Sequence, residues 1–175
     1  MRRLAAKVSS PRKRGFSGRL PGAVCVLALL PGLVTAGGSD AACVALASHP
    51  DGAPLARFAL RAGDPVFTIT YVHSVTRTPV VERYRADGAT VVQTEIRFVQ
   101  HGPGLPTEAD AGGAYAQRDG QIVVSMQRSF DVVVMRVHAD QAPRLAASAW
   151  DPTDLAAWGN RAIALRALAG ACDAH

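Results

Sequence analysis

His73 and Glu82 are the side chains whose types and spacing best suit acid–base chemistry in this sequence. Both lie in residues 66–84, VFTITYVHSVTRTPVVERY, where apolar and polar residues alternate as they do in a half-buried strand. Pro79 interrupts the alternation, and proline is confined to the start or the edge of a strand because it has no N–H group. The stretch therefore predicts a hairpin with a four-residue loop at residues 76–79.

That loop length pairs His73 with Glu82 and Tyr71 with Tyr84, and it places all four side chains on the inner face of the hairpin. A carboxylate opposite an imidazole fixes its tautomer and suits general acid–base catalysis. We favour a structural role, because buried polar groups usually pair for structure. Ser74 follows His73 directly, so its side chain points to the opposite face and is a poor nucleophile for a hydrolase. A hydrolase that uses His73 and Glu82 is the alternative.

Other candidate binding residues surround this hairpin. Arg77 lies at the predicted tip of the hairpin, where its guanidinium is suited to bind a carboxylate or a partner protein. The glycine loop GPGLP at residues 102–106 follows a long strand, and its backbone N–H groups suit either an anion or a rigid crossing between sheets. The candidate ligand-binding residues are Tyr71, His73, Ser74, Arg77, Glu82, Gly102 and Gly104.

Metal binding is a weaker interpretation of the same residues. Zinc requires three or four N, O or S ligands within tetrahedral reach, and no tight ligand spacing occurs here. A metal site would have to recruit dispersed side chains, namely His73, Glu82, Glu95 and His101. We therefore predict no metal site and no cofactor.

The first 36 residues are typical of a secretory signal peptide. Basic residues come first, an apolar run covers residues 20–34, and small residues follow. The run has about fifteen residues, whereas a membrane span needs roughly 20. Cleavage after Ala36 is therefore favoured over a retained anchor. We expect export to the periplasm or cell envelope and a mature form that does not span the membrane.

The basic charge of the chain belongs to this leader. Seven of the 19 Lys and Arg residues precede residue 20, and all 14 acidic residues follow residue 36. Removal of the leader leaves 12 basic and 14 acidic side chains, a net charge of −2. The mature chain therefore lacks the basic surface that nucleic-acid binding requires.

The cysteines fit an oxidising compartment. Cys25 leaves with the signal peptide, which leaves Cys43 and Cys172 near the two ends of the mature chain. An even number of cysteines in an exported chain predicts a disulfide. The alternatives are two separate buried thiols and a lipid-modified Cys43.

The pattern after the leader predicts a single all-β domain over residues 42–170, an antiparallel β-sandwich or an open barrel. Turn signals rich in Gly, Pro and Asp separate the strands. We expect a short helical turn at residues 150–158, with Asp151 as its cap and Pro152 in its first position. The predicted strands are 42–47, 56–61, 66–74, 80–85, 90–99, 122–127, 132–138 and 162–168.

The register of the strand at 90–99 is open, because the length of the turn after Asp87 is open. A two-residue turn places on the His73 face Val91, Gln93, Glu95 and Arg97. A three-residue turn places there Val92, Thr94, Ile96 and Phe98. We prefer the second register, which continues the apolar face and points Glu95 away from His73.

The motif His73-Ser74-Val75, the acid Glu82 and the glycine loop at 102–106 together resemble domain-of-unknown-function family 1850, a group of small exported bacterial proteins. The resemblance extends from Cys43 to about residue 168. Pro103 stands where the family usually has alanine. Genes of this family often lie beside TRAP transporters of the TAXI type, so the resemblance implies an envelope protein linked to solute uptake.

Together these observations predict an exported β-domain that acts as an accessory or regulatory binding protein of a TRAP-type membrane transporter or its solute receptor. An envelope hydrolase and a small-ligand or metal-binding module are the alternatives. Exposure of the predicted His73–Glu82 pair separates them, because an open pocket favours chemistry and a sealed one favours structure.

We predict that the chain is exported and cleaved near Ala36, because its basic, apolar and small residues follow the order of a signal peptide. N-terminal sequencing of the protein from the cell envelope checks this. A chain that starts at Met1 in the membrane fraction would contradict cleavage and support an anchor.

Overall fold

Two antiparallel sheets make up the part of the chain that the computed structural model describes, residues 42–170 and Cys172. The apolar run at residues 20–34 and the predicted cleavage site lie outside these residues. Within residues 42–170, no helix is long and apolar enough to cross a membrane. The strands of this part are β1 (Ala42–Ser48), β2 (Pro54–Leu60), β3 (Val66–Val72), β4 (Pro79–Asp87), β5 (Thr90–Phe98), β6 (Ala114–Arg118), β7 (Gln121–Phe130), β8 (Val133–Arg136), β9 (Arg144–Ala147), β10 (Trp150–Asp154) and β11 (Ala162–Ala169).

The smaller sheet has the strand order β2-β1-β11-β8, and the larger sheet has the order β10-β9-β3-β4-β5-β7-β6. Every pairing between neighbouring strands is antiparallel. Buried side chains of both sheets meet in one core between them. The predicted antiparallel β-sandwich is therefore confirmed.

All eight strands predicted from the sequence are present, with ends that differ by a few residues. Three short strands, β6, β9 and β10, were missed because they carry little alternation of apolar and polar residues. β10 even contains Pro152, which is tolerated because this strand lies at the edge of the larger sheet.

The predicted helical turn at residues 150–158 is wrong in its first half. Residues 150–154 form β10, and a short 3₁₀ helix covers only Leu155–Trp158. Its N-cap is Asp154 instead of Asp151, and the Asp154 carboxylate accepts a hydrogen bond from the Ala156 N–H at 2.9 Å. The cap therefore lies three residues later in the chain than predicted.

The main core lies between the two sheets. β1, β2 and β11 supply buried residues to it from the smaller sheet, and β3, β4, β5 and β9 supply them from the larger sheet. Burial of each large apolar side chain contributes roughly 1.5–3 kcal/mol. Its fully buried large side chains include Val44, Leu46, Phe67, Ile69, Leu145, Ile163 and Leu165.

A second core covers another part of the larger sheet. Its residues come from β4, β5 and β7 and from the connection between β5 and β6, which contributes the buried Leu105. This connection therefore acts as a lid on the inner face of the sheet. Tyr71 packs against both cores, so it marks the seam between them.

The β3–β4 hairpin has a register that differs from the predicted one. Tyr71 lies opposite Val80, and Glu82 lies opposite Ile69, so the predicted pairing of His73 with Glu82 is wrong. The loop spans residues 73–78, because β3 ends at Val72 and β4 begins at Pro79. The residue opposite Glu82 is therefore Ile69, four residues before the predicted His73. Because this shift is an even number of residues, each strand residue keeps its predicted face.

Each alternative register of β5 is correct for one part of the strand. The turn has two residues, since Asp87 pairs with Thr90, and this places Val91 and Gln93 on the inner face. An irregularity follows at Thr94, beyond which Ile96 pairs with Glu82 and Phe98 pairs with Val80. The first part of β5 therefore follows the register predicted for a two-residue turn, and the part after Thr94 follows the register predicted for a three-residue turn. Glu95 lies opposite Arg83, and its side chain points away from the inner face, as predicted.

Cys43 and Cys172 form the predicted disulfide. Their Cα atoms lie 5.2 Å apart, within the usual range for such bridges, although 129 positions separate them in the chain. Cys43 lies on β1, which pairs along its length with β11. The bridge therefore ties the first strand of the fold to the segment that follows the last.

We expect the double variant Cys43→Ser/Cys172→Ser to lose about 2–5 kcal/mol of unfolding free energy, because the closed loop restricts the unfolded chain. Denaturant titration of the mature protein measures the loss. Thiol labelling of the denatured, unreduced protein should find no free thiol, and two free thiols would refute the bridge.

Candidate functional site

The β3–β4 hairpin places Tyr71, Glu82 and Tyr84 side by side on the inner face of the larger sheet. Tyr71 is opposite Val80 on the neighbouring strand, while Glu82 and Tyr84 are alternate residues of β4. Side chains two residues apart on a strand share a face. Three polar side chains therefore cluster on a face that is otherwise apolar.

The two tyrosines bind one carboxylate. The Tyr71 hydroxyl donates a hydrogen bond to Oε1 of Glu82 at 3.0 Å, and the Tyr84 hydroxyl donates to Oε2. Hydrogen bonds to an ionised acceptor are stronger than neutral ones. Each carboxylate oxygen thus has one phenolic donor, and its remaining lone pairs are open to another donor.

A cavity of about 240 Å³ lies beside this cluster, between the larger sheet and the end strand β8 of the smaller sheet. Apolar and polar side chains share its lining, and Glu82 is its acidic group. The lining residues are Ile69, Tyr71, Glu82, Tyr84, Val133, Val134, Met135, Arg136 and Gln141.

Glu82 has no cationic partner in the part of the chain that the structure describes. Arg136 lines the same cavity but forms no ion pair with it. Ion pairs between described residues include Arg77–Asp140, Arg85–Asp87, Arg97–Glu95 and Arg128–Asp110, and none of these four involves Glu82. The carboxylate charge is therefore met by phenolic hydrogen bonds alone.

The surroundings of the two tyrosines raise their pKa values well above the ordinary range. Burial is the largest cause for both, because it disfavours the phenolate. The negative charge of Glu82 and the hydrogen bonds to it raise the pKa of Tyr71 and of Tyr84 further. Both hydroxyls consequently remain proton donors at physiological pH.

His73 does not face this cluster. It is buried in the hairpin loop, where its Nδ1 accepts hydrogen bonds from the N–H groups of Val75 and Thr76, both at 3.2 Å. Because Nδ1 accepts, the ring proton lies on Nε2, which donates to the Pro103 carbonyl at 3.1 Å. Both ring nitrogens are therefore engaged by backbone groups.

The glycine loop is shaped to receive this imidazole. The Leu105 N–H donates to the Gly102 carbonyl at 3.1 Å, and Gly104 has a φ of +86°. Proline followed by a positive-φ glycine is the pattern of a type II turn, and Pro103 presets the φ of the first central position. A Cβ at Gly102 would lie 2.7 Å from Cε1 of His73, so glycine allows close contact here. The loop is a packed lid.

The remaining predicted residues lie apart from the cavity. Ser74 is exposed in the hairpin loop, and Arg77 is exposed with its guanidinium 3.4 Å from Asp140. The Glu95 carboxylate forms an ion pair with Arg97, and the His101 ring stacks on the Tyr115 ring. Among the described residues, no three His, Cys, Asp or Glu side chains are positioned to hold a metal ion.

Of the predicted binding residues, the cavity unites only Tyr71 and Glu82. Sequence reasoning placed Tyr84 on their face but did not assign it to the site. It also missed the cavity residues of β8 and Gln141. Tyr84 could have been assigned to the site from the sequence, because it lies two residues after Glu82 and therefore on the same face of the strand. No local pattern in the sequence connects β8 with β4, which lies some fifty residues earlier.

The described residues thus define a two-sheet β-sandwich with a carboxylate in a cavity between its sheets. Residues 67–151 match the sequence profile of a family described as Domain of unknown function (DUF1850). The family predicted from the sequence is confirmed, and every residue that lines the cavity falls within the matched segment. No curated protein and no solved structure matches the chain.

We expect Gly102→Ala to destabilise the fold by about 1–3 kcal/mol, because the added methyl group must displace the His73 ring or the lid. Thermal melts of the mature protein measure the loss. Pro103→Ala is the matched control, since it keeps the carbonyl that His73 binds, and should cost less than about 1 kcal/mol. His73→Ala should also destabilise, and the double variant with Gly102→Ala should cost less than the sum. Strict additivity would contradict the contact.

We expect the unfolding free energy to fall as the pH rises above about 10. Burial raises the folded-state pKa of Tyr71 and Tyr84 above the ordinary 10.0, so the unfolded chain loses these protons first. Below that pH the contribution is fully present. In a Tyr115→Phe background only these two tyrosines absorb as phenolates, so ultraviolet titration follows them directly. Glu82→Gln should lower both transitions, and tyrosines that ionise near pH 10 in the folded protein would contradict the buried cluster.

Proposed function

We propose that this protein is an exported accessory or regulatory binding protein of a TRAP-type solute transporter, and that its Glu82 cavity holds a positively charged or N–H-donating group. The observation that supports binding is the carboxylate beside a cavity, held by two phenols and by no cation of the described residues. A cationic group would supply the missing charge.

The cavity is suited to a small group. Its volume of about 240 Å³ is somewhat below the 300–1,000 Å³ of common ligand pockets. Ile69, Val133 and Met135 provide apolar walls, and Glu82 provides the charged end. This combination fits an aliphatic chain that ends in an ammonium or guanidinium group. Arg136 carries the same charge as such a ligand, so we expect it to weaken binding.

The geometry offers little support to a hydrolase that uses His73 and Glu82. Both nitrogens of His73 bind backbone groups, and the carboxylate of Glu82 binds two tyrosines. General acid–base catalysis requires the base within hydrogen-bond reach of the reacting proton. His73 instead couples the hairpin loop to the glycine loop.

Export and the association with a transporter rest on the sequence. The leader has the order of a signal peptide, and the disulfide fits an oxidising compartment. The proposed partner comes from the family resemblance, whose members are often encoded beside TRAP transporters. The cavity would then be the part of the domain that senses a ligand or a partner.

We expect N-acetyl-lysine methylamide to bind the mature protein, and the neutral N-acetyl-norleucine methylamide, which lacks the charge, to bind at least tenfold more weakly. Calorimetric titration measures both. Glu82→Gln should abolish this preference, whereas Glu95→Gln, which changes a carboxylate on the other face of the sheet, should keep it. In cells, Glu82→Gln alone should reduce uptake by the TRAP-type transporter. Equal binding of the two compounds to the unaltered protein would refute a cation site.

A further inference from the structure

β8 is the end strand of the smaller sheet, and within residues 42–170 its one pairing partner is β11. The Val137 N–H donates to the Arg161 carbonyl at 2.8 Å, so this opposed pair is hydrogen-bonded. Opposed pairs alternate between bonded and non-bonded positions in an antiparallel ladder. The pairs of Val134 and Arg136 are therefore the non-bonded ones, and these two residues turn their backbone N–H and C=O groups to the open side.

This open edge borders the Glu82 cavity. All four residues of β8 line the cavity, although alternate side chains of the strand point in opposite directions. The edge and the cavity are therefore parts of one groove, with Glu82, Tyr71 and Tyr84 on its opposite wall. Val134 is 47% exposed, which adds an apolar contact on the outer side of the strand.

We infer that an extended segment of a partner protein pairs with β8 and inserts a lysine or arginine side chain toward Glu82. This inference rests on the proposed function and names the source of the cationic group. Main-chain hydrogen bonds along an exposed strand edge give affinity, and a pocket for one side chain gives specificity. A free amine satisfies the carboxylate but leaves the backbone groups of Val134 and Arg136 without a partner among the residues that the structure describes.

The dimensions agree with a short segment. β8 has four residues, which correspond to about 13 Å of extended chain. A five-residue peptide covers this length and places its central side chain beside the middle of the strand. The cavity of 240 Å³ has the volume of about eight water molecules, enough for the end of one long side chain.

Three peptides test the inference on the mature, disulfide-bonded protein. The first is acetyl-Thr-Val-Lys-Val-Thr-amide, the second has norleucine in place of lysine, and the third has N-methyl groups on its two valines. We expect the first to bind and each of the others to bind at least tenfold more weakly. In nuclear magnetic resonance spectra, the first should shift the amide signals of Val134 and Arg136.

Val134→Pro removes an N–H group from the open edge and spares the bonds to β11. It should lose the lysine peptide but keep N-acetyl-lysine methylamide, whereas Val134→Thr should bind both. If the N-methylated peptide and the free lysine derivative bind as tightly as the unmodified peptide, the cavity takes the cation alone; the strand-pairing inference is then overturned and the proposed cation site stands. If neither the peptide nor the lysine derivative binds, both are overturned.

Discussion

The larger sheet has seven strands and the smaller has four, so the inner face of the larger sheet needs more cover than the smaller sheet gives. Apolar side chains on β4, β5 and β7 would otherwise meet water. The connection between β5 and β6 supplies the additional cover and buries Leu105 against them. The smaller sheet and the β5–β6 connection thus cover different parts of this face. The cavity lies beside β8, where the smaller sheet ends.

His73 acts on this arrangement through the backbone. Its ring closes the hairpin loop through two N–H groups and holds the lid through the Pro103 carbonyl. Gly102 is required because the lid and the ring touch where a Cβ would lie. Tyr71, at the seam of the two cores, then has its hydroxyl directed to Glu82. A chain of contacts thus links the lid, the hairpin loop and the cluster of Tyr71, Glu82 and Tyr84, although His73 and Glu82 do not contact each other as a pair.

The sequence predicts the sandwich, most of its strands and the faces of the hairpin, because strand alternation is a local property of period two. It also predicts the disulfide, since two cysteines remain after the predicted leader. It cannot predict the loop of the hairpin, where a side chain replaces backbone pairing and the loop grows from four residues to six. The irregularity at Thr94 and the contribution of β8 to the cavity depend on packing between distant strands, which leaves no local pattern.

The position of β11 has a consequence for the order of events during folding. This strand lies between β1 and β8, so the smaller sheet is divided until the final segment of the domain arrives. The hairpins of the larger sheet form from neighbours in the chain, and β1 likewise pairs with β2, but the other neighbour of β1, which is β11, lies more than a hundred residues later. β8 is attached to its sheet solely through β11 in the described structure, so one wall of the cavity is assembled last. A chain whose last strand has not yet paired can therefore place Tyr71, Glu82 and Tyr84 together on the β3–β4 hairpin before the groove beside them exists.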